Sequence, residues 1–293
     1  MEKVYDVAIV GTGPAGLSAA LNFKLHGKNT VWFGSKDLSD KVDKSEKIAN
    51  YPGFTRITGK DLNDSFKRQI HEEDLEITEK MVTNIASNEG KYMLLANNDL
   101  YEAKSVLLAT GAVSAKGFEG EDELLGRGVS YCATCDGFLY KDKILAVFCG
   151  SKKYEHEVEY LAEIAEKIYL FTPYKDSEIK LHNVEQLSSP MKTITGGLRA
   201  DGIVLADGTN ISVDGIFILR TAVSPTTLLR GLEMDGPHIV VDKHCRTSME
   251  GVFAAGDCTG RPYQITTAMG EGNTAALGIL EYLADLEKKK KEN

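Results

Sequence analysis

Tyr5-Asp6-Val7-Ala8-Ile9-Val10 is a near-continuous apolar strand that runs directly into Gly11-Thr12-Gly13-Pro14-Ala15-Gly16. Glycines spaced Gly11-x-Gly13-x-x-Gly16 have separate tasks. The first permits a tight turn, the second lets a pyrophosphate reach the backbone, and the third lets helix and strand pack closely. An amphipathic stretch from about Leu17 to His26 follows, then a second apolar strand, Thr30-Val31-Trp32-Phe33. The order strand, glycine turn, helix, strand predicts a βαβ unit whose helix N-terminus faces an anion. The second strand ends Phe33-Gly34-Ser35, with no carboxylate before Asp37. The ribose-binding acid expected about 20 residues beyond the motif is thus out of place, which weakens NAD as the ligand and leaves FAD open.

The pattern recurs in altered form. Lys143 to Cys149 is another apolar strand, followed by Gly150, a helical stretch from about Glu155 to Ile164 and the strand Ile168-Tyr169-Leu170-Phe171. Farther on, Gly251-Val252-Phe253-Ala254-Ala255-Gly256-Asp257 reads as a short strand ending in a turn, and apolar residues from Thr266 to Leu283 recur at helical spacing. The expected organisation is a discontinuous first domain, 1–113 with 246–293, into which a central domain, 114–245, is inserted.

With 293 residues, 42% hydrophobic and 26% charged, the chain has the composition of a globular protein of two domains. No apolar run approaches the roughly 18 to 20 residues that span a bilayer. The first strand begins almost at once with no basic leader, so the sequence points to a cytoplasmic protein with no membrane partner. A net charge of −9 argues against a nucleic-acid partner. The tail Lys288-Lys289-Lys290-Lys291 reads as a solvated end. Five cysteines is an odd number, and only Cys132 and Cys135 are close in sequence, which is not a secreted disulfide framework. Cys149, Cys245 and Cys258 are scattered, the six histidines form no ligand pair, and no metal is expected.

Cys132-Ala133-Thr134-Cys135-Asp136 has the spacing of a reversible disulfide, in which one sulfur attacks a partner and the other resolves the mixed disulfide. A CxxC alone also fits half of a metal site. Beside a dinucleotide fold it reads as redox.

Together these motifs resemble the low-molecular-weight thioredoxin reductases. The resemblance is carried by Gly11-x-Gly13-Pro14-Ala15-Gly16, Asn50-Tyr51-Pro52-Gly53-Phe54, Leu108-Ala109-Thr110-Gly111-Ala112, Gly126 to Tyr131 leading into the cysteine pair, and Gly256-Asp257 with Gln264-Ile265-Thr266-Thr267-Ala268. They stand in family order across almost the whole chain. The resemblance implies an α/β fold of two Rossmann-like three-layer (ββα-type) nucleotide-binding domains, the central one inserted into the FAD domain. It also implies a homodimer. FAD contacts are implied at Gly11, Gly13, Pro14, Ala15, Gly16, Gly34, Lys41, Ala109, Thr110, Gly111 and Gly256. Asp257 is implied at the ribityl or phosphate region, Gln264 to Thr266 (with Ile265) at the isoalloxazine end, Asn50 near the flavin ring, and Val82 as backbone to the adenine. Cys135 would face the flavin, Cys132 would attack the protein disulfide, and Asp136 would move the proton, with a partly buried setting expected to raise its pKa; alone, Asp136 also reads as a helix cap.

The central domain departs from that family. A second glycine motif is expected after its first strand, but the chain reads Cys149-Gly150-Ser151-Lys152-Lys153-Tyr154, with Glu155, Glu157 and Glu159 close behind. Side chains there block a pyrophosphate, and the acids repel it. In place of a His-Arg-Arg cluster for a 2′-phosphate stands Thr172-Pro173-Tyr174-Lys175-Asp176, and Ile218-Leu219-Arg220-Thr221-Ala222 replaces an Ile-Gly turn. Intact FAD and CATC motifs beside degraded NADPH motifs resemble the ferredoxin-dependent flavin thioredoxin reductases. That resemblance implies reduced ferredoxin as donor and thioredoxin as substrate. The competing readings are an NADPH-dependent reductase with a divergent site, an oxygen-dependent FAD dithiol oxidase, and a flavin-binding scaffold. Because ferredoxins are acidic, Lys36, Lys41, Lys44, Lys47, Lys152 and Lys153 are docking candidates, although interleaved acids make a solvated face the plainer reading. Leu38-Ser39-Asp40-Lys41 replaces the Gly-Gly-Gln of relatives beside the flavin.

Overall fold

The computed structural model describes residues 4–88, 90–112, 117–220 and 225–292; the side chains of Asp122, Cys135 and residues 290–292 lie outside the description. The chain divides into two compact units, 1–115 with 224–293, and 116–223. Both are α/β, with parallel strands at the centre of each.

The first unit begins with β1 (Val4–Val10), α1 (Pro14–Leu25), β2 (Thr30–Phe33), α2 (Asp40–Asp43), α3 (Gly59–Glu72), β3 (Val82–Asn88), β4 (Lys91–Ala96) and β5 (Asp99–Leu108). β1 lies between β2 and β5, parallel to both, and its residues Val7 to Val10 are buried because both faces of the sheet are covered. β3, β4 and β5 form an antiparallel meander.

The second unit contains α4 (Glu121–Leu124), β6 (Val129–Ser130), α5 (Ala133–Asp136), β7 (Ile144–Cys149), α6 (Glu155–Ile164), β8 (Lys167–Phe171), β9 (Val184–Gln186), β10 (Met191–Gly196), β11 (Ala200–Leu205), β12 (Asn210–Ser212) and β13 (Gly215–Leu219). Its parallel sheet has the order β6-β13-β7-β8-β9, and β10, β11 and β12 form a separate antiparallel sheet. Leu145, Val147, Val158, Leu161, Ile168, Leu170, Phe217 and Leu219 make its core.

The chain then returns to the first unit through α7 (Pro225–Leu228), β14 (Met234–Asp235), β15 (His238–Ile239), β16 (Val252–Ala254) and α8 (Ile265–Glu292). β16 pairs in parallel with the last three residues of β5, on the edge whose earlier part pairs with β4. α8 lies along α1 at close range. A Cβ on Gly272 would come within 2.2 Å of the Ala15 carbonyl oxygen, and the Ser18 hydroxyl donates to the Met269 carbonyl at 2.8 Å.

Two details differ from the sequence reading. α1 starts at Pro14 rather than about Leu17, and it buries Ala15 to Ala20 and Phe23 between the sheet and α8, leaving only its last turn exposed. Residues 224–245 join the first unit, because Ile239 N–H donates to the Cys258 carbonyl (2.8 Å) and α7 packs on β3. Among the described residues, no helix is long and apolar enough to cross a membrane.

Candidate active site

In the first unit the sequence-distant motifs converge because their strands end side by side. Val10 pairs with Phe33 and with Leu108, and Leu108 pairs with Ala254. The residues just beyond each strand, Gly11 to Gly16, Gly34, Ala109 to Gly111 and Gly256 to Asp257, therefore lie at one carboxyl edge, where open α/β sheets bind their ligands.

Gly11 has φ +118°, and a Cβ there would fall 2.2 Å from the Ala109 carbonyl oxygen. Gly16 meets the Gly11 carbonyl oxygen at 2.0 Å in the same test, so it is where α1 closes on β1. Gly13 differs: nothing lies within 4 Å of its would-be Cβ. It caps α1 with no side-chain hydrogen bond, Pro14 follows at the first helical position, and no acid stands in the first turn. A helix N-terminus left open in this way suits an anion such as a pyrophosphate. The residues present thus fit FAD.

The other positions implied for FAD are distributed as follows. Lys41 reaches the Asp257 carboxylate (Nζ to Oδ2, 3.6 Å) and donates to the Ala112 carbonyl at 3.4 Å. Asn50 Nδ2 donates to Gln264 Oε1 at 2.9 Å, immediately before Ile265 and Thr266 open α8. Val82 is buried at the start of β3, four residues after Thr78, which pairs with Phe33. Asp37 is tied to Lys67 at 3.4 Å and is highly exposed.

In the second unit Cys132 is half-buried and disulfide-bonded, whereas Cys149, Cys245 and Cys258 are free thiols. The inward role implied for Cys135 concerns a side chain outside the described residues. Asp136 closes α5 and makes no side-chain cap bond. Its Oδ2 accepts from the Ser130 hydroxyl at 2.6 Å, and the same hydroxyl oxygen accepts from Cys132 N–H at 3.1 Å. Ser130 therefore links the carboxylate to the backbone of the disulfide-bonded Cys132. Glu157 Oε2 accepts from Ala133 N–H at 3.4 Å and fastens α5 to α6. Burial pushes the Glu157 carboxyl above the usual carboxylate range, opposed by that bond and by His156. Beyond the pair, Phe138 and Leu139 are 65% and 61% exposed.

The strand ends of this unit are furnished differently from those of the first. After Gly150 the chain makes a short 3-10 turn, Lys152–Tyr154, before α6 begins with Glu155 and Glu157 in its first turn. Glu155 accepts from the Tyr174 hydroxyl at 2.9 Å, and that hydroxyl lies 3.3 Å from the buried Cys149 Sγ. Desolvation raises the Cys149 pKa. Arg220, just after β13, packs beside Gly150 and forms an ion pair with Glu121, which is fully buried. Glu121 also accepts from the Tyr131 hydroxyl at 2.5 Å and from Phe118 N–H at 2.8 Å. The stretch's Thr221 and Ala222 lie outside the described residues.

Several supporting residues escaped the sequence reading. Glu271 accepts from Gly256 N–H (2.7 Å) and the Thr259 hydroxyl (3.0 Å), pinning the turn that carries Asp257. The Trp32 indole donates to the Gly11 carbonyl at 2.8 Å. Ser130 had a signal, lying two residues before Cys132, whereas Glu121 and Glu271 had none. Among the described residues, no group of three or more His, Cys, Asp or Glu side chains could hold a metal ion.

The profile of the family described as pyridine nucleotide-disulphide oxidoreductase matches residues 5–151 and 175–272. Thioredoxin reductases of Listeria monocytogenes and Treponema pallidum are each 32% identical to the chain. The first match covers 98% of the chain and 96% of that protein, the second 98% and 100%. Among solved structures, a ferredoxin-flavin thioredoxin reductase from Clostridium acetobutylicum is 41% identical with a TM-score of 0.91, covering 97% of this chain and 99% of that one. A thioredoxin reductase from Gloeobacter violaceus is 28% identical with a TM-score of 0.78, covering 96% and 95%. A dinucleotide cradle, a disulfide-bonded cysteine and these full-length similarities lead to one conclusion: the chain belongs to the pyridine nucleotide-disulphide oxidoreductase family and is an FAD-dependent oxidoreductase acting on thiols.

Proposed function

We propose that this protein reduces the disulfide of thioredoxin through FAD and a Cys132–Cys135 redox pair, with electrons from reduced ferredoxin rather than NADPH. In this reading the first unit holds FAD at the carboxyl edge of its sheet and the second presents the thiols. A cytoplasmic homodimer belongs to the same reading.

The observation that carries the choice of donor is the contrast between two helix starts. α1 offers bare N–H groups, a glycine with open space before it and no acid. α6 offers Glu155 and Glu157 where a pyrophosphate would sit, behind a 3-10 turn of two lysines and a tyrosine. A carboxylate at a helix start takes the place an anion would occupy. The nearby Arg220 holds Glu121 through its Nη2. The similarity to a ferredoxin-flavin thioredoxin reductase points the same way.

FAD, when bound, takes up electrons singly and delivers them in pairs. The thiol steps belong to the chain. Cys132, as thiolate, attacks one sulfur of the thioredoxin disulfide and forms a mixed disulfide. Cys135 then attacks Cys132, releasing reduced thioredoxin and restoring the internal disulfide. Asp136, hydrogen-bonded to Ser130, takes and returns the proton.

The NADPH reading draws support from the strand–turn–helix–strand order that β7, α6 and β8 retain. One anaerobic experiment separates the readings: the FAD-loaded protein and thioredoxin receive NADPH or reduced ferredoxin while flavin bleaching and new thioredoxin thiols are followed. The expected result is bleaching and turnover with ferredoxin alone. Bleaching by micromolar NADPH overturns the proposal, and thiol-driven peroxide formation in air with no response to ferredoxin points to the oxidase. Cys132→Ser should keep flavin reduction and lose thioredoxin turnover.

A further inference from the structure

We propose that the loop Ala49–Arg56 and its flanks, carrying Lys44, Lys47, Arg56 and Lys60 around an exposed Phe54, form the docking surface for an acidic one-electron donor protein. This inference rests on the ferredoxin reading above and gives it a place on the first unit.

The surface is built by a short closure. Ile48 and Ile57 pair as an antiparallel bridge, with N–H to carbonyl distances of 2.7 and 3.0 Å, and hold the loop out from the unit. Tyr51 anchors it: its ring lies 6.3 Å from that of Phe66, and its hydroxyl meets Met269 Sδ at 3.2 Å. Phe54 sits 6.0 Å from the Tyr51 ring and is 42% exposed. The bridge and the Tyr51 contacts leave the Phe54 ring at the surface.

Charge selects among the lysines that the sequence offered. Lys36 is paired with Glu79 at 3.2 Å, Lys41 with Asp257 at 3.6 Å and Lys152 with Glu178 at 3.6 Å. Lys44 and Lys47 have no ion-pair partner within 4 Å among the described residues, nor do Arg56 and Lys60, which the sequence reading did not weigh. All four are exposed. Against them stand Glu46 inside the segment 44–60 and, just outside it, Asp43, which accepts from Asn63 Nδ2 at 3.5 Å, and Asp61, which accepts from the Thr58 hydroxyl at 2.6 Å. Four exposed cations without an ion-pair partner around an exposed aromatic ring attract an acidic partner and orient its approach.

The loop also leads to the redox end. Asn50, inside it, is hydrogen-bonded to Gln264 at 2.9 Å, and both are positions that the family resemblance puts at the flavin ring. A donor seated on Phe54 and the four cations would approach that end of the cofactor.

The test is stopped-flow reduction of the FAD-loaded protein by a chemically reduced 2[4Fe–4S] ferredoxin at low and high salt. The triple variant Lys44→Glu/Lys47→Glu/Arg56→Glu is compared with a charge-matched control, Lys180→Glu/Arg230→Glu/Lys243→Glu. The triple variant should lose about 10- to 100-fold in the second-order rate at low salt and lose its salt dependence, while the control keeps most of the wild-type rate. Photoreduced triple variant should still reduce thioredoxin at the wild-type rate, which certifies its fold. Equal rates and salt slopes in the triple variant and the wild type would overturn the docking surface and leave the ferredoxin reading standing. Failure of wild-type protein to accept electrons from ferredoxin would overturn both. Loss of thioredoxin turnover with ferredoxin reduction intact would give the surface to thioredoxin and overturn it as the donor's.

Discussion

Replacing Gly16 and, separately, Gly13 with alanine should split folding from cofactor binding, although the two lie one helical turn apart. At Gly16 the new methyl would sit 2.0 Å from the Gly11 carbonyl oxygen and 3.3 Å from Trp32 Nε1. The first distance is more than about 1 Å inside van der Waals contact, and the obstacle is backbone, so α1 must move off β1. Overpacking of this kind costs about 1–3 kcal/mol, and disturbing the Trp32–Gly11 hydrogen bond adds about 0.5–1.5 kcal/mol. A loss of about 2–4 kcal/mol lowers the Tm of a unit this size by roughly 5–15 °C. At Gly13 the methyl meets nothing within 4 Å, and the cost is that of a poorer helix cap, about 1 kcal/mol or less. The open space it fills is the approach to the helix N-terminus. Losing one charge-assisted hydrogen bond to a pyrophosphate there, about 1.5–3 kcal/mol, weakens FAD by about 10- to 100-fold. Calorimetry of FAD-stripped protein and an FAD titration read by flavin fluorescence measure the two effects. Equal Tm losses in the two variants, or unchanged FAD affinity in Gly13→Ala, would refute the reasoning.

The remaining predictions concern the second unit and the buried thiols. Because burial raises the Glu157 pKa, its ionisation opposes folding; the penalty is absent below the unfolded pKa and full above the folded one. Glu157→Gln should therefore raise the Tm at about pH 7 and leave it unchanged at about pH 3, as melting curves would report. Phe138→Ser/Leu139→Ser removes exposed apolar surface six and seven residues after Cys132, so kcat/KM for thioredoxin should fall with KM carrying the change, while flavin reduction and Tm hold. Desolvation pushes the Cys245 thiol up to about 12 and the Cys258 thiol to about 11. In native protein at about pH 8 both should resist iodoacetamide, which needs the thiolate, and react only after unfolding; mass-mapped labelling decides it.

What could be read from the sequence follows the range of the interactions. The unit β1–α1–β2 was legible because its signals, an apolar strand and spaced glycines, lie within thirty residues. The depth of burial of α1 was not legible, because its second wall is α8, some 250 residues away. Distance also hid Glu121, whose partner Arg220 lies 99 residues on and comes beside Tyr131 through the pairing of β6 and β13. Free charge was equally illegible. Lys36 and Lys44 look alike in a sequence, but Lys36 forms an ion pair with Glu79, whereas among the described residues no carboxylate lies within 4 Å of the Lys44 amine.

The shared edge of β5 bears on synthesis order. Its first half is closed by β4, already made when β5 emerges, but its last three residues wait for β16, about 145 residues later. The 116–223 unit is contiguous and complete well before that moment. On a translating ribosome the thiol-bearing segment can therefore acquire its parallel sheet first, while the cradle at Gly11 stays without its Gly256 wall. The carboxyl edge that would hold the cofactor is therefore complete only after β16 and the Gly256 turn have been made. Slowing translation between residues 223 and 252 should lengthen the interval in which the chain is vulnerable to proteases, and added FAD should not shorten it.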